Sequence, residues 1–151
     1  MQPQLLEAAR AFGEGLLRVL GEKGRVEVSP EGEGVCVNFQ GALRYLPSGD
    51  PSFRTALARL TRLHLKSHYG LDVPVVVDIN GELLAHREQL ARRVQELAAQ
   101  VVAEGLRVEL DPMPADDRRV VHMALAGIPG IRTFSVGRDQ NRRVVIEPAG
   151  N

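Results

Sequence analysis

The stretch that most constrains the fold is Val73-Pro-Val-Val-Val-Asp-Ile79, followed at once by Asn80-Gly81. A near-continuous apolar run of this length predicts a strand buried on both faces, with Pro74 tolerable only at its start. Asn-Gly then turns the chain. Beyond it, Leu83, Leu90, Val94, Leu97 and Val101, backed by Ala91, Ala98 and Val102, repeat at helical spacing from about Glu82 to Glu104. The polar face of that long helix solvates itself, with Glu88 and Arg92, then Arg92 and Glu96, four residues apart.

What precedes the buried strand reads as helix, strand, strand, helix. Leu5, Ala9, Phe12, Leu16 and Leu20 give an amphipathic helix over 3–20 that ends at Gly21 and Gly24. Residues 25–29 and 34–39 alternate with period two around Pro30-Glu-Gly-Glu33, the pattern of two antiparallel strands. Residues 41–52 are irregular, punctuated by Pro47, Gly49 and Pro51, and a second helix is predicted from Phe53 to Tyr69. Its apolar side reads Phe53, Ala56, Leu57, Leu60 and Leu63. Arg59, Arg62 and Lys66 make a solvated face. His64 and His68 are an i, i+4 pair, but no carboxylate or cysteine motif joins them, so no metal is assigned.

After the long helix, 107–111 reads as a short strand, and Asp111-Pro-Met-Pro announces a short helix ending at Gly127. Pro114 suits the first turn, and Asp116 and Asp117 complement the positive end of the helix dipole. Val120, Val121, Ala124 and Leu125 form its buried side. Arg118 and His122, four residues apart, share another face. Residues 131–136 and 143–146 read as a hairpin whose span from Arg132 to Arg143 holds four arginines and one acid, Asp139. That is a local basic patch.

The patch has to be local, because Lys+Arg and Asp+Glu are both 19 and no global field draws the chain to a polyanion. Hydrophobic residues at 44% and charged residues at 25% describe a globular protein rather than a disordered one. The lone Cys36 excludes an internal disulfide and suits a reducing compartment. No apolar run approaches a membrane span, and Glu7 and Arg10 interrupt any signal-peptide pattern, so a cytoplasmic protein is expected.

Val75-Val-Val-Asp-Ile-Asn-Gly81, the long helix, Leu110-Asp-Pro-Met-Pro114, Arg118-Arg-Val-Val-His122, Ser135-Val-Gly137 and Asn141-Arg-Arg-Val-Val-Ile146 together resemble the R-three-H domain of bacterial Jag (SpoIIIJ-associated) proteins. The likeness covers about half the chain, in order. Arg118 and His122 fill the Arg and His of the family's Arg-x-x-x-His signature. In that family a KH domain precedes the R-three-H domain, and residues 3–79 resemble that module, with Ala56, Leu57 and Leu60 at its Ala-Leu-x-x-Leu helix. The resemblance therefore implies an α+β chain of two small domains: KH-like (α-β-β-α-β) over 1–80, then R-three-H (long helix, β, α, β-hairpin) over 81–151. The family's N-terminal Jag domain has no counterpart here, so roles that depend on it are not carried over.

The resemblance implies binding of single-stranded RNA or DNA, with RNA preferred as the expectation. Arg118 can fork onto a phosphate, and His122 can donate to phosphate or stack on a base. Arg119, Arg138, Arg142 and Arg143 would extend the track, although strand alternation sends Arg142 and Arg143 to opposite faces and leaves open which one faces the ligand. A KH domain holds the backbone with a Gly-x-x-Gly loop, whereas Leu46-Pro-Ser-Gly-Asp-Pro-Ser52 retains only Gly49. The KH-like half is expected to bind RNA poorly, and to pack, self-associate or pair with another KH protein. The competing reading is an interaction adaptor that has lost nucleic-acid binding. An Asp111, Asp117 and His122 grouping lacks a nucleophile on a sharp turn and metal-ligand spacing, so neither catalysis nor a cofactor is expected.

Overall fold

The computed structural model describes residues 2–150, which divide between Leu84 and Ala85 into two compact units. The chain is α+β, with four α-helices and two three-stranded sheets among the described residues.

The first unit runs α1 (Gln2–Leu20), β1 (Arg25–Glu31), β2 (Gly34–Gln40), α2 (Pro51–Tyr69) and β3 (Val75–Ile79). The sheet order is β1-β2-β3, with β1 antiparallel to β2 and β2 parallel to β3, so α2 is the crossover that a parallel pair requires. Leu5, Ala9 and Leu17 of α1, Val35, Val37 and Phe39 of β2, Leu57 and Leu65 of α2, and Val77 and Ile79 of β3 form its core. β3 is an edge strand, and its burial on both faces is confined to Val77-Asp78-Ile79. The inward residues are the apolar ones. Outward-pointing Asp78 is 3% exposed because it caps the next helix.

That cap was not visible in the apolar reading of the run. Asp78 Oδ1 accepts from the amides of Ile79 at 2.7 Å and Leu83 at 2.9 Å, and Oδ2 accepts from Leu84 at 3.2 Å. The Leu83 and Leu84 amides are donors in the first turn of α3 (Glu82–Glu104) that no preceding turn can satisfy. Asn80 and Gly81 make the intervening turn with φ of 52° and 70°, a conformation Asn and Gly tolerate best. The Asn80 carboxamide also closes on Gly41, accepting from its amide at 2.9 Å and donating to its carbonyl at 3.1 Å.

Three local expectations need correction. β1 extends through Pro30, which pairs with Val35; an edge strand accepts a proline, and the turn is only Gly32-Glu33. α2 starts two residues early, because Pro51 fits a first helical turn and the Asp50 carboxylate accepts from Phe53 N at 3.1 Å. The buried side of α2 is Leu57, Thr61 and Leu65, while Leu60 and Leu63 are 53% and 57% exposed. Choosing the face by leucine count misplaced it, since Thr61 donates its hydroxyl to Leu57 O at 2.7 Å and is buried without a polar penalty. Leu60→Gln and Leu63→Gln are accordingly expected to shift the unfolding free energy by less than about 0.5 kcal/mol each in denaturant titrations.

The second unit contains most of α3, then β4 (Val108–Glu109), α4 (Ala115–Leu125), β5 (Ile131–Val136), a single 3-10 turn (Asp139–Asn141) and β6 (Arg143–Pro148). Its sheet is antiparallel in the order β4-β6-β5. Val94, Ala98 and Val101 of α3 and Val121 and Leu125 of α4 close on Val144 and Ile146 of central β6. Val102, expected to back the α3 seam, is 51% exposed. β4 is shorter than the predicted 107–111. Pro114 is the residue before α4 rather than in its first turn, with ψ of 159°.

Candidate nucleic-acid interface

α4 sets Arg118 and His122 one turn apart on the side away from Val121 and Leu125. The Arg118 guanidinium donates to Met113 O at 2.6 Å, which fixes the side chain against the segment entering the helix. His122 lies between α4 and β5, with Nδ1 2.8 Å from Thr133 Oγ1 and Nε2 3.0 Å from Ser135 Oγ. Burial, and secondarily the charge of Arg118, hold its pKa below the ordinary imidazole value. The folded state therefore takes up this proton less readily than the unfolded chain. The stability His122 contributes is complete above the ordinary imidazole pKa of about 6.5 and is lost as pH falls through the lowered folded value. Thermal unfolding of His122→Asn is expected to lose less stability than wild type between neutral and mildly acidic pH.

Arg118, Arg119, His122, Met123, Ser135 and Arg142, with Ala115 and Ala126, line an open concavity of about 400 Å³. A second, of about 460 Å³, adjoins it through Ala115 and Arg118 and is edged by Pro112, Met113, Pro114, Asp139 and Gln140. Arg142 is held by donation to Gly137 O at 2.8 Å. Gly137, at φ 87°, has no room for a Cβ, which would come 2.7 Å from Asn141 O.

The structure thus brings together Arg118, Arg119, His122 and Arg142. Arg119 is exposed and has no hydrogen-bond or ion-pair partner among the described residues. Arg138 is exposed in the loop after β5 and lines neither concavity. Arg143 is not brought to this surface. It starts β6 on the side opposite core-facing Val144, donates to Asn141 O at 3.3 Å and lies 3.9 Å from Glu109. The four arginines read as one patch are split: Arg132 and Arg143 lie in the strands, while Arg138 and Arg142 flank the 3-10 turn that joins them. Arg132 shares the far face with Arg143 and pairs with Glu147, which also faces Arg107 at 3.7 Å. Arg107 and Arg132 lie over the Phe134 ring at 5.7 and 5.9 Å. On that face every arginine has a carboxylate.

The sequence reading did not assign Thr133, Ser135 or Met123 to the site. Ser135 stood inside the quoted Ser-Val-Gly motif, but its closeness to His122 depends on how β5 packs against α4, which local spacing does not report.

Residues 88–148, within the second unit, match the model of the R-three-H domain family. The second unit is similar to R-three-H domains. Its relatives include the RNA-binding protein KhpB of Lactiplantibacillus plantarum, 36% identical over 91 residues, which is 60% of this chain and 28% of that protein. KhpB of Bacillus subtilis is 36% identical over 93 residues, covering 60% of this chain and 45% of that protein. KhpB of Streptococcus pneumoniae is 29% identical over 92 residues, covering 61% and 28%. The matched part is less than half the length of each of these relatives. Arg118 and His122 lie within the matched residues, and both line the concavity.

In the first unit, the Gly49 amide donates to Glu82 Oε2 at 2.7 Å, and Arg54 lies 4.0 Å from the same carboxylate. Arg62 and Lys66 both pair with Asp72, at 2.8 and 3.2 Å. His64 stacks on His68 with ring centroids 4.2 Å apart and meets Phe12 at 4.7 Å. Among the described residues no group of three or more His, Cys, Asp or Glu side chains is placed to hold a metal ion, and no helix is long and apolar enough to cross a membrane.

Proposed function

We propose that this chain binds single-stranded RNA through the α4–β5 face of its R-three-H domain, with Arg118, Arg119 and Arg142 neutralising successive phosphates. The observation that carries this reading is a concavity lined by three arginines and no carboxylate, in a chain whose acids and bases balance. Guanidinium forks match phosphate oxygens, and exposed Met123 offers an apolar wall to a sugar or base edge. The KhpB relatives are named RNA-binding proteins, which supports RNA over DNA. We place this binding in the cytoplasm, where a single cysteine stays reduced.

The first unit is assigned as KH-like, on its α-β-β-α-β order. Its loop contributes no phosphate grip in this reading, because the one retained glycine already gives its amide to Glu82 and Asp50 caps α2. Exposed Leu60 and Leu63 support a protein contact there, with a second KH-like unit as the occupant.

Fluorescence anisotropy of a labelled single-stranded RNA across a salt series tests the RNA reading. Three neutralised phosphates give a log–log slope of about −2. Absence of saturable binding by the wild type at low salt would sink it, and a matched DNA strand reads the preference.

A further inference from the structure

Both ring nitrogens of His122 are within hydrogen-bond distance of hydroxyls of the protein itself, Thr133 Oγ1 at 2.8 Å and Ser135 Oγ at 3.0 Å. A neutral imidazole has one N–H and one lone pair, so one hydroxyl donates to the ring and the other accepts from it. The ring has no nitrogen left for a ligand. Of the two hydroxyls, only Ser135 lines the arginine concavity.

Building on the RNA-binding reading above, we propose that the hydrogen bond to RNA phosphate at this site comes from the Ser135 hydroxyl, and that His122 is the residue positioning it. A phosphate oxygen can only accept. It therefore selects the arrangement in which Thr133 donates its proton to Nδ1, Nε2–H donates to Ser135 Oγ, and the Ser135 proton turns outward. In the opposite tautomer Ser135 donates to the ring and presents lone pairs to an anion, which repels it. Thr133 sets the tautomer, His122 transmits it, and Ser135 makes the contact. Arg118 holds the far side of the same phosphate, anchored through Met113 O. This assigns a binding role to a strand hydroxyl and makes the signature histidine an internal member of a hydroxyl–imidazole–hydroxyl chain.

A double-mutant cycle read by anisotropy with a fluorescein-labelled single-stranded RNA tests the assignment. Loss of one hydrogen bond to a charged acceptor weakens affinity about tenfold. Ser135→Ala and His122→Ala are each expected to show that loss, and the double variant no more than either alone, because both remove one contact. Ser135→Thr, which keeps the hydroxyl, is expected to restore binding. Additive losses, or wild-type affinity in Ser135→Ala, would overturn the assignment while leaving RNA binding intact. No saturable binding by the wild type overturns the RNA reading and the assignment with it. A measurement independent of substitutions is the imidazole ¹⁵N spectrum of the wild-type protein with RNA. It is expected to show His122 protonated at Nε2, and protonation at Nδ1 alone rejects the proposal.

Discussion

Alanine at both Arg118 and Arg142 is expected to weaken binding of single-stranded RNA about a hundredfold and to flatten its salt dependence. Each guanidinium supplies a charge-assisted bond to phosphate worth about 1.5 kcal/mol, and two such losses make about a hundredfold. With one of three phosphate contacts left, the log–log slope falls from about −2 to about −0.7. The informative control is Arg132→Ala/Arg143→Ala, which removes the same charge from the opposite face of the sheet, where Glu147 and Glu109 already neutralise it. That pair is expected to change affinity less than about threefold at 0.15 M salt, since paired, distant charges are largely screened. Equal losses from both pairs would mean that net charge alone drives binding, and that the concavity is not the site. Circular dichroism checks that losing the Arg118 bond to Met113 O leaves α4 folded.

The largest stability effect is expected at Asp78. Its carboxylate is buried and takes three amide hydrogens, one from Ile79 and two from Leu83 and Leu84 in the first turn of α3. Asp78→Ala removes a helix cap and strands those donors away from water, a combined cost of about 3 kcal/mol. Asp78→Asn keeps one acceptor oxygen and is expected to fall between alanine and wild type. Denaturant unfolding followed by circular dichroism measures this, with the transition of the first unit fitted separately if the two units do not unfold together. A loss below about 1 kcal/mol would show that water or a shifted helix start satisfies these amides instead.

What was legible in the sequence follows from which interactions are local. The limits of α3 and the order of elements came from apolar period and Gly punctuation, and both are set by neighbours along the chain. Arg118 and His122 were placed on one face by helical geometry alone. The parity of Arg142 and Arg143 was not legible, because Val144-Val145-Ile146 is apolar at every position and all three residues are buried. Such a run gives no clue to which face is the core. The buried face of α2 failed for a related reason: a threonine satisfied by its own helix outranks two leucines whose direction the sheet does not reach. Asp78 looked like an interruption in a strand. Its partners lie up to six residues ahead, in an element that had been read separately. The partners of His122 sit on a strand reached only after the chain turns at Gly127 and Gly130.

The split of arginines around the start of β6 also bears on how fast the proposed RNA ligand would be captured. One face of that sheet carries cations cancelled at short range, and the α4 side carries cations left uncompensated. The R-three-H unit thus presents a directional field even though the chain's formal charge is zero. If RNA binds as proposed, a drifting strand would feel a torque as well as an attraction and would be turned toward α4 before any contact forms. Salt would slow this encounter before it shortened the lifetime of the complex, so the rate of association, more than that of release, would carry the imprint of the way Arg142 and Arg143 part at the start of β6.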